Sequence, residues 1–250
     1  MSEPKQYPRT FTSIWGMPKS GKSHLGMTWP KPMMAVEVGE TGIEDLLHKF
    51  DGVDYRPIIS SSLRMGLADH RTILAEFEKC LDTAIKDTVL RTLLIDSTSK
   101  LWESIGLVLT DEAFQEQQRT KRNQADWSLA NNYFEQIVQK ARRNRTLNIV
   151  FIHRHREKYS KMMGENGRES LQATGEYEAR DYKGLENLAP LVIRTGTGNR
   201  INQRTQKPEQ HFLHTIELCR YAPHLQGSQV WDMDYTKLME RVWNTSDSAE

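Results

Sequence analysis

The sequence has 250 residues, 37% of them hydrophobic, which is enough for one core and leaves long polar segments. Its 34 basic residues balance 33 acidic ones, so the net charge of +1 says nothing about nucleic acid or membranes, and any basic binding surface must be local. No apolar run approaches the roughly 18 residues that span a bilayer, and Cys80 and Cys219 form no metal-binding pattern. We expect a cytoplasmic protein with reduced thiols and no membrane partner.

The first predicted strand, residues 10–15, runs into a loop that fits the phosphate-binding pattern GxxxxGK[ST] at every fixed position. Residues 24–29 predict the short helix that follows such a loop. The glycines let backbone N–H groups turn toward a phosphate, Lys22 would reach the β- and γ-phosphates, and the Ser23 hydroxyl would bind Mg²⁺. We therefore predict a nucleoside triphosphate site, formed by Gly16, Met17, Pro18, Lys19, Ser20, Gly21, Lys22, Ser23 and His24.

The next predicted strand, Met33–Val38, ends in a turn that carries Glu40. In open α/β sheets this end of the strands is where ligands bind, and Glu37 and Glu44 compete with Glu40 for any catalytic role there. A short helix over 43–50 follows. Residues 55–59 predict a strand in which Pro57 favours either an edge position or the strand start. Apolar spacing predicts an amphipathic helix over 69–87.

An apolar strand over 92–97 ends in Asp96, about 75 residues after the phosphate loop. The Asp96 carboxylate would hold Mg²⁺, either directly or through water. Helices over 100–118 and from residue 126 lead to a strand over 147–152, whose end carries His153, Arg154, His155 and Arg156. Because parallel strands share one direction, these side chains should meet Lys22 and Asp96 at a single edge of the sheet.

Residues 157–187 are mostly polar and predict either a long loop or a hairpin at that edge. A strand over 189–194, a turn over 196–200, a strand over 210–218 and a helix over 235–243 complete the chain. The alternation of strands and helices predicts an α/β fold, with a mainly parallel central sheet and helices on both faces. We expect one domain over 1–250, with its core at about 10–220 and an extension over 221–250.

The order and spacing of four segments resemble the RecA-like P-loop ATPases, and most closely the small phage-encoded, Sak-type annealing recombinases grouped with AAA-type ATP-binding domains. The segments are Gly16–Ser23, Glu40-Thr41-Gly42, Leu93–Ser97 and Phe151-Ile152-His153-Arg154. The resemblance covers residues 10–220 and implies ATP and Mg²⁺ as cofactors. It also implies that Glu40 polarises the attacking water as general base and that His153 senses the γ-phosphate. Lys19 departs from the small residue that relatives often have there.

RecA-like ATPases hold single-stranded DNA with loops beyond the strand ends, and basic groups beside aromatic rings suit such a groove. The candidates here are Arg154, Arg156, Lys158 and Lys161, with Tyr159 and Tyr177 among them. Acidic residues in the same stretch keep it nearly neutral, so a solvated insert without a DNA role remains open.

RecA-like subunits also hydrolyse ATP at subunit interfaces, where a neighbour supplies a basic finger. Arg194 and Arg200 are the candidates for this role, and DNA binding or a solvated position are equally open for both. The resemblance therefore implies a ring or filament of subunits, acting in phage-type recombination, annealing or replication in a host cytoplasm. Single-stranded DNA and a single-strand-binding protein are the expected partners.

Two other functions remain open from the residues. One is a small-molecule kinase, in which segment 157–187 would be the lid over an acceptor. The absence of an acceptor-binding motif and the acid at Glu40 argue against it. The other is a non-catalytic protein whose partner binding is gated by a nucleotide.

Overall fold

A computed structural model describes residues 7–39, 41–59, 66–117, 124–163, 169–180, 188–202 and 204–243. Its strands are β1 (Phe11–Gly16), β2 (Met33–Val38), β3 (Val53–Ile58), β4 (Thr92–Asp96), β5 (Asn148–Met163), β6 (Glu169–Arg180), β7 (Leu191–Ile201), β8 (Pro208–Cys219) and β9 (Gln229–Trp231). Its helices are α1 (Lys22–Gly26), α2 (Leu67–Lys86), α3 (Thr98–Gln117), α4 (Gln124–Arg143) and α5 (Tyr235–Trp243).

The strands form a sheet in the order β3-β2-β4-β5-β1-β7-β8-β9, and β6 pairs with β5 outside this path. Every pairing from β3 to β7 is parallel, whereas the β5–β6, β7–β8 and β8–β9 pairings are antiparallel. Strand β1 lies in the middle, so the phosphate loop leaves the centre of the sheet edge. The predicted edge strand is β3, and its position at the end of the sheet agrees with Pro57.

Helices cover both faces of the sheet, as the sequence predicts. Helices α2, α3 and α4 bury Phe77, Leu101 and Phe134 against one face. Helices α1 and α5 bury Leu25 and Leu238 against the other. The inner strands are buried on both sides because successive side chains alternate between the two cores, which is typical of a parallel sheet in an α/β protein.

Two hairpins extend past the end of β1, at the edge of the sheet that the carboxyl ends of the parallel strands form. The first hairpin (β5–β6) occupies much of the segment that the sequence leaves open between loop and hairpin, although 164–168 and 181–187 lie outside the described residues. The second hairpin (β7–β8) contradicts the predicted turn over 196–200, because β7 continues to Ile201 in register with β8. Both hairpins therefore stand beside the phosphate loop.

The chain beyond residue 220 packs into the sheet rather than trailing from it. A 3₁₀ turn at Pro223–Leu225 and strand β9 lead to α5, whose Tyr235, Leu238 and Met239 are buried in the core shared with α1. No helix within the described ranges has the length and apolar character needed to cross a membrane.

Candidate nucleotide-binding site

The phosphate loop is closely packed where it leaves β1. Gly16 has φ 156°, and a Cβ added there would lie 2.2 Å from the Thr195 carbonyl oxygen of β7. Buried Ser20 and Thr195 share a hydrogen bond of 2.6 Å between their hydroxyls. The loop is thus held by a neighbouring strand that is remote in sequence, and only glycine fits at its first position.

Lys22 lies over the opening of the loop. Its Nζ donates to the carbonyl oxygens of Gly16, at 3.1 Å, and Met17, at 2.8 Å. The loop's central residue Lys19 is exposed and has φ 61°, a left-handed conformation that costs a non-glycine residue about 1 kcal/mol. The small residue that relatives often have at this position is therefore replaced by a strained, charged one.

Ser23 and Asp96 are brought together at the base of the loop. The Ser23 hydroxyl donates to Asp96 Oδ2 at 2.6 Å, which joins the first turn of α1 to the end of β4. Asp96 is 4% exposed. A hydroxyl and a carboxylate in contact are the oxygen ligands that Mg²⁺ takes beside nucleotide phosphates, so the pair fits the predicted metal site.

Glu37 lies one residue before the end of β2, in register with Asp96 across the β2–β4 ladder. Its side chain is enclosed, and its two oxygens accept from the Ile43 N–H at 2.8 Å and from the Tyr55 hydroxyl at 2.6 Å. Burial raises the pKa of Glu37, an effect that these donors partly oppose. Glu40, the predicted base, lies outside the described residues.

The two histidines at the end of the β5 core have different surroundings. His153 is 0% exposed and stacks on Phe151, and desolvation lowers its pKa to about 3, so the ring is neutral. His155 is half-buried, and burial together with the charge of Lys22 lowers its pKa. The influence of Lys22 on His155 agrees with the expectation that the end of this strand meets Lys22 at one edge of the sheet.

An aromatic cluster flanks the outer side of the loop. His24 lies with its ring 5.5 Å from that of Phe50 and 5.9 Å from that of Phe212 on β8. A Cβ added at Gly21, which has φ 85°, would lie 2.7 Å from the Phe212 ring. Phe212 therefore packs directly on the loop backbone. No local sequence signal reveals this contact, because β8 is remote in the chain.

The two arginines predicted as fingers both have contacts within their own chain. Arg194 pairs with Glu217 at 3.1 Å and lies over the Trp15 ring, while the Trp15 indole N–H donates to Glu217 at 2.6 Å. Arg200 lies 5.5 Å from the centroid of the Trp231 ring. Arg194 is thus beside its own phosphate loop, and Arg200 lies further along the second hairpin.

Two of the predicted DNA-binding cations on the first hairpin pair with acids of the opposite strand. Arg156 contacts Glu178 at 2.7 Å and Lys158 contacts Glu176 at 3.3 Å. Lys161 is exposed further along the hairpin, and the Arg154 N–H donates to Ser99 Oγ at the hairpin's base. Exposed apolar side chains lie among them: Tyr159, Met162, Met163 and Tyr177.

The fold and site together define a P-loop nucleoside triphosphatase: a glycine loop from the central strand, a lysine over it, and a serine paired with an aspartate two strands away. The AAA domain family model matches residues 11–214, which is most of the chain, so the protein belongs to the AAA domain family. The family indicates nucleotide binding and ATPase chemistry, with Mg²⁺ as the usual metal. The comparison with curated proteins gives no match.

Proposed function

We propose that the protein is an ATP- and Mg²⁺-dependent, RecA-like ATPase that binds single-stranded DNA in phage-type recombination, annealing or replication. The observation that carries the ATPase part is the 2.6 Å contact between Ser23 and Asp96 beneath a loop that leaves room only for glycine at Gly16. An ordinary glycine-rich turn would have no such hydroxyl and carboxylate beside it. Here the two side chains lie where Mg²⁺ would be needed for phosphoryl transfer.

The residues divide the chemistry among themselves. Loop N–H groups and Lys22 would hold the phosphates, with Lys22 exchanging its two carbonyl contacts for phosphate oxygens. Ser23 and Asp96 would hold Mg²⁺, which when bound neutralises phosphate charge. Glu40 would accept the proton of the attacking water as the bond from the γ-phosphorus to the ADP oxygen breaks. His153 would sense the γ-phosphate, as the resemblance implies, and His155, whose pKa the charge of Lys22 helps to lower, is a second candidate for this role.

The base and ribose would lie along the outer side of the loop. The rings of Phe50, His24 and Phe212 offer an aromatic surface there, and stacking on such rings suits a purine. Phe212 touches the loop at Gly21, so this aromatic surface lies beside the phosphate loop.

The DNA part of the proposal is supported by the first hairpin. Its exposed Tyr159 and Tyr177 can stack on bases, while Arg154, Arg156, Lys158 and Lys161 lie on β5. The pairs with Glu176 and Glu178 lower the net charge, so binding would be weak and sensitive to salt. A single-strand-binding protein would supply the strand.

Self-association into a ring or filament completes the proposal. Arg200 is the better finger because it lies further from its own phosphate loop than Arg194, whose guanidinium already pairs with Glu217. The free thiols of Cys80 and Cys219 suit a reducing cytoplasm.

The test is ATP hydrolysis with and without single-stranded DNA, in the wild type, Lys22→Ala and Glu40→Gln. We expect turnover that DNA stimulates and that both substitutions abolish. Turnover indifferent to DNA would contradict the DNA part alone. Phosphate release that requires a nucleoside or sugar acceptor would instead identify a kinase, and nucleotide binding without turnover would identify a nucleotide-gated binder.

A further inference from the structure

The most completely buried acid beside the phosphate site has no role in the function proposed above. Glu37 is 0% exposed, although its neighbour in register, Asp96, contacts Ser23. An enclosed carboxylate is costly unless its oxygens are satisfied. Its Oε1 accepts from the Ile43 N–H at 2.8 Å and its Oε2 accepts from the Tyr55 hydroxyl at 2.6 Å.

These contacts join three separate parts of the molecule. Tyr55 belongs to β3, at the end of the sheet, and Ile43 precedes the 3₁₀ turn at Glu44–Lys49. Through its contacts with these two residues, Glu37 holds in place the segment that follows β2. The backbone N–H groups of Gly42 and Glu44 also favour the ionised carboxylate, so the whole start of this turn is directed at Glu37.

The turn that Glu37 holds lies against the metal-ligand pair. A Cβ added at Gly42 would be 3.8 Å from Glu37 Oε1 and 3.8 Å from Ser23 Oγ, so Gly42 lies close to both the buried acid and the Ser23 hydroxyl. Moving Glu37 would move Gly42 relative to Ser23. The position of the edge strand is thereby linked to the geometry of the site.

We propose that Glu37 and Tyr55 are a positioning pair for the metal side of the phosphate site, holding the Gly42–Ile43 backbone beside Ser23. Tyr55 positions the Glu37 carboxylate, and Glu37 in turn positions the turn at Gly42 and Ile43. The base therefore remains Glu40, because both Glu37 oxygens already accept hydrogen bonds inside the protein. This inference rests on the proposed function, because its test measures ATP turnover. The hydrogen bonds of Glu37 do not depend on that function.

The experiment compares Tyr55→Phe, Glu37→Gln and the double variant with the wild type. Tyr133→Phe is the matched control, because the Tyr133 hydroxyl donates to Glu78 between α4 and α2, away from the site. Three quantities are measured in each: kcat and KM for MgATP, the Mg²⁺ concentration that half-saturates binding of a fluorescent ATP analogue, and the thermal midpoint.

Tyr55→Phe should lower kcat and raise the half-saturating Mg²⁺ concentration by about 10- to 100-fold, the usual effect of removing a partner that orients a metal ligand. Binding of the analogue without Mg²⁺ should stay unchanged. Glu37→Gln should change kcat and the half-saturating Mg²⁺ concentration in the same directions. The double variant should lose no more than Glu37→Gln alone, because both substitutions break the same hydrogen-bonded pair. Tyr133→Phe should affect only the thermal midpoint.

Two results would overturn the proposal. One is a Tyr55→Phe variant with wild-type kcat and Mg²⁺ dependence, which makes the hydrogen bond structural only. The other is a Glu37→Gln variant with no turnover but normal Mg²⁺ dependence, which makes Glu37 the base. A wild type that binds the analogue without hydrolysing it contradicts the proposed ATPase alone, because the Mg²⁺ dependence still tests the pair.

Discussion

The phosphate loop and the first hairpin leave the same edge of the sheet but are held in opposite ways. The loop is fixed by buried contacts that admit no substitution, such as Gly16 against Thr195. The hairpin is held by cross-strand ion pairs on its surface, such as Arg156 with Glu178. Buried packing preserves one geometry, whereas exposed ion pairs exchange partners at little cost. The phosphate loop is therefore suited to chemistry that needs one fixed geometry, and the first hairpin is suited to a partner that binds in more than one arrangement.

The largest expected loss of stability comes from a substitution in the phosphate loop. Gly16→Ala and Gly175→Ala both place a side chain at positive φ, but the added Cβ lies 2.2 Å from Thr195 O in the first case and meets nothing within 4 Å in the second. We expect Gly16→Ala to lose more than about 3 kcal/mol of unfolding free energy and Gly175→Ala only about 1 kcal/mol. Urea denaturation measures both. Equal losses would contradict the difference between the two regions.

The next effect concerns buried histidines near the loop and its sheet. Desolvation lowers the pKa of His153 to about 3 and that of His214 to about 4. Both are neutral when folded but bind a proton when unfolded below pH 6.5, so stability is complete above that pH and falls as pH drops toward these values. Each should cost about 1.4 kcal/mol per pH unit below 6.5.

Unfolding free energies measured between pH 7.5 and 5 test this pH dependence. The variant His153→Gln should show a shallower loss than the wild type, since it removes one of the two groups that protonate on unfolding. An identical slope in both proteins would contradict the assignment of a buried, neutral His153.

The smallest effect on stability should come from the hairpin. Glu178→Gln frees Arg156, and because both side chains are partly exposed, the change should cost no more than about 1 kcal/mol. The same change should tighten single-stranded DNA binding and steepen its salt dependence, since one more cation can meet a phosphate. Fluorescence anisotropy at several salt concentrations measures this. Weaker DNA binding in Glu178→Gln would contradict the proposed surface.

The sequence predicts what local pattern encodes. The phosphate loop, the strand ending in Asp96 and the edge position of Pro57 follow from spacing and backbone chemistry, and the structure brings Ser23 and Asp96 together. The contacts of the loop with Thr195 and Phe212 escape prediction because they join strands distant in the chain and depend on tertiary packing.

The glycines of β7 illustrate the same limit. Gly196 and Gly198 suggest a turn, yet both lie in a strand, and a Cβ at Gly198 would come within 2.7 Å of the Trp231 ring. A small residue was needed there for packing rather than for bending. His153 is similar, since the burial of this strand-end histidine depends on tertiary packing that the sequence does not show.

The account depends most directly on the joint role of Ser23 and Asp96, and one binding measurement tests it. Affinity for a fluorescent ATP analogue would be measured with and without Mg²⁺ in the wild type and in Asp96→Asn. We predict that Mg²⁺ tightens binding to the wild type and that Asp96→Asn removes this gain while leaving metal-free binding intact. Equal Mg²⁺ dependence in both proteins, or no binding by the wild type, would contradict the account.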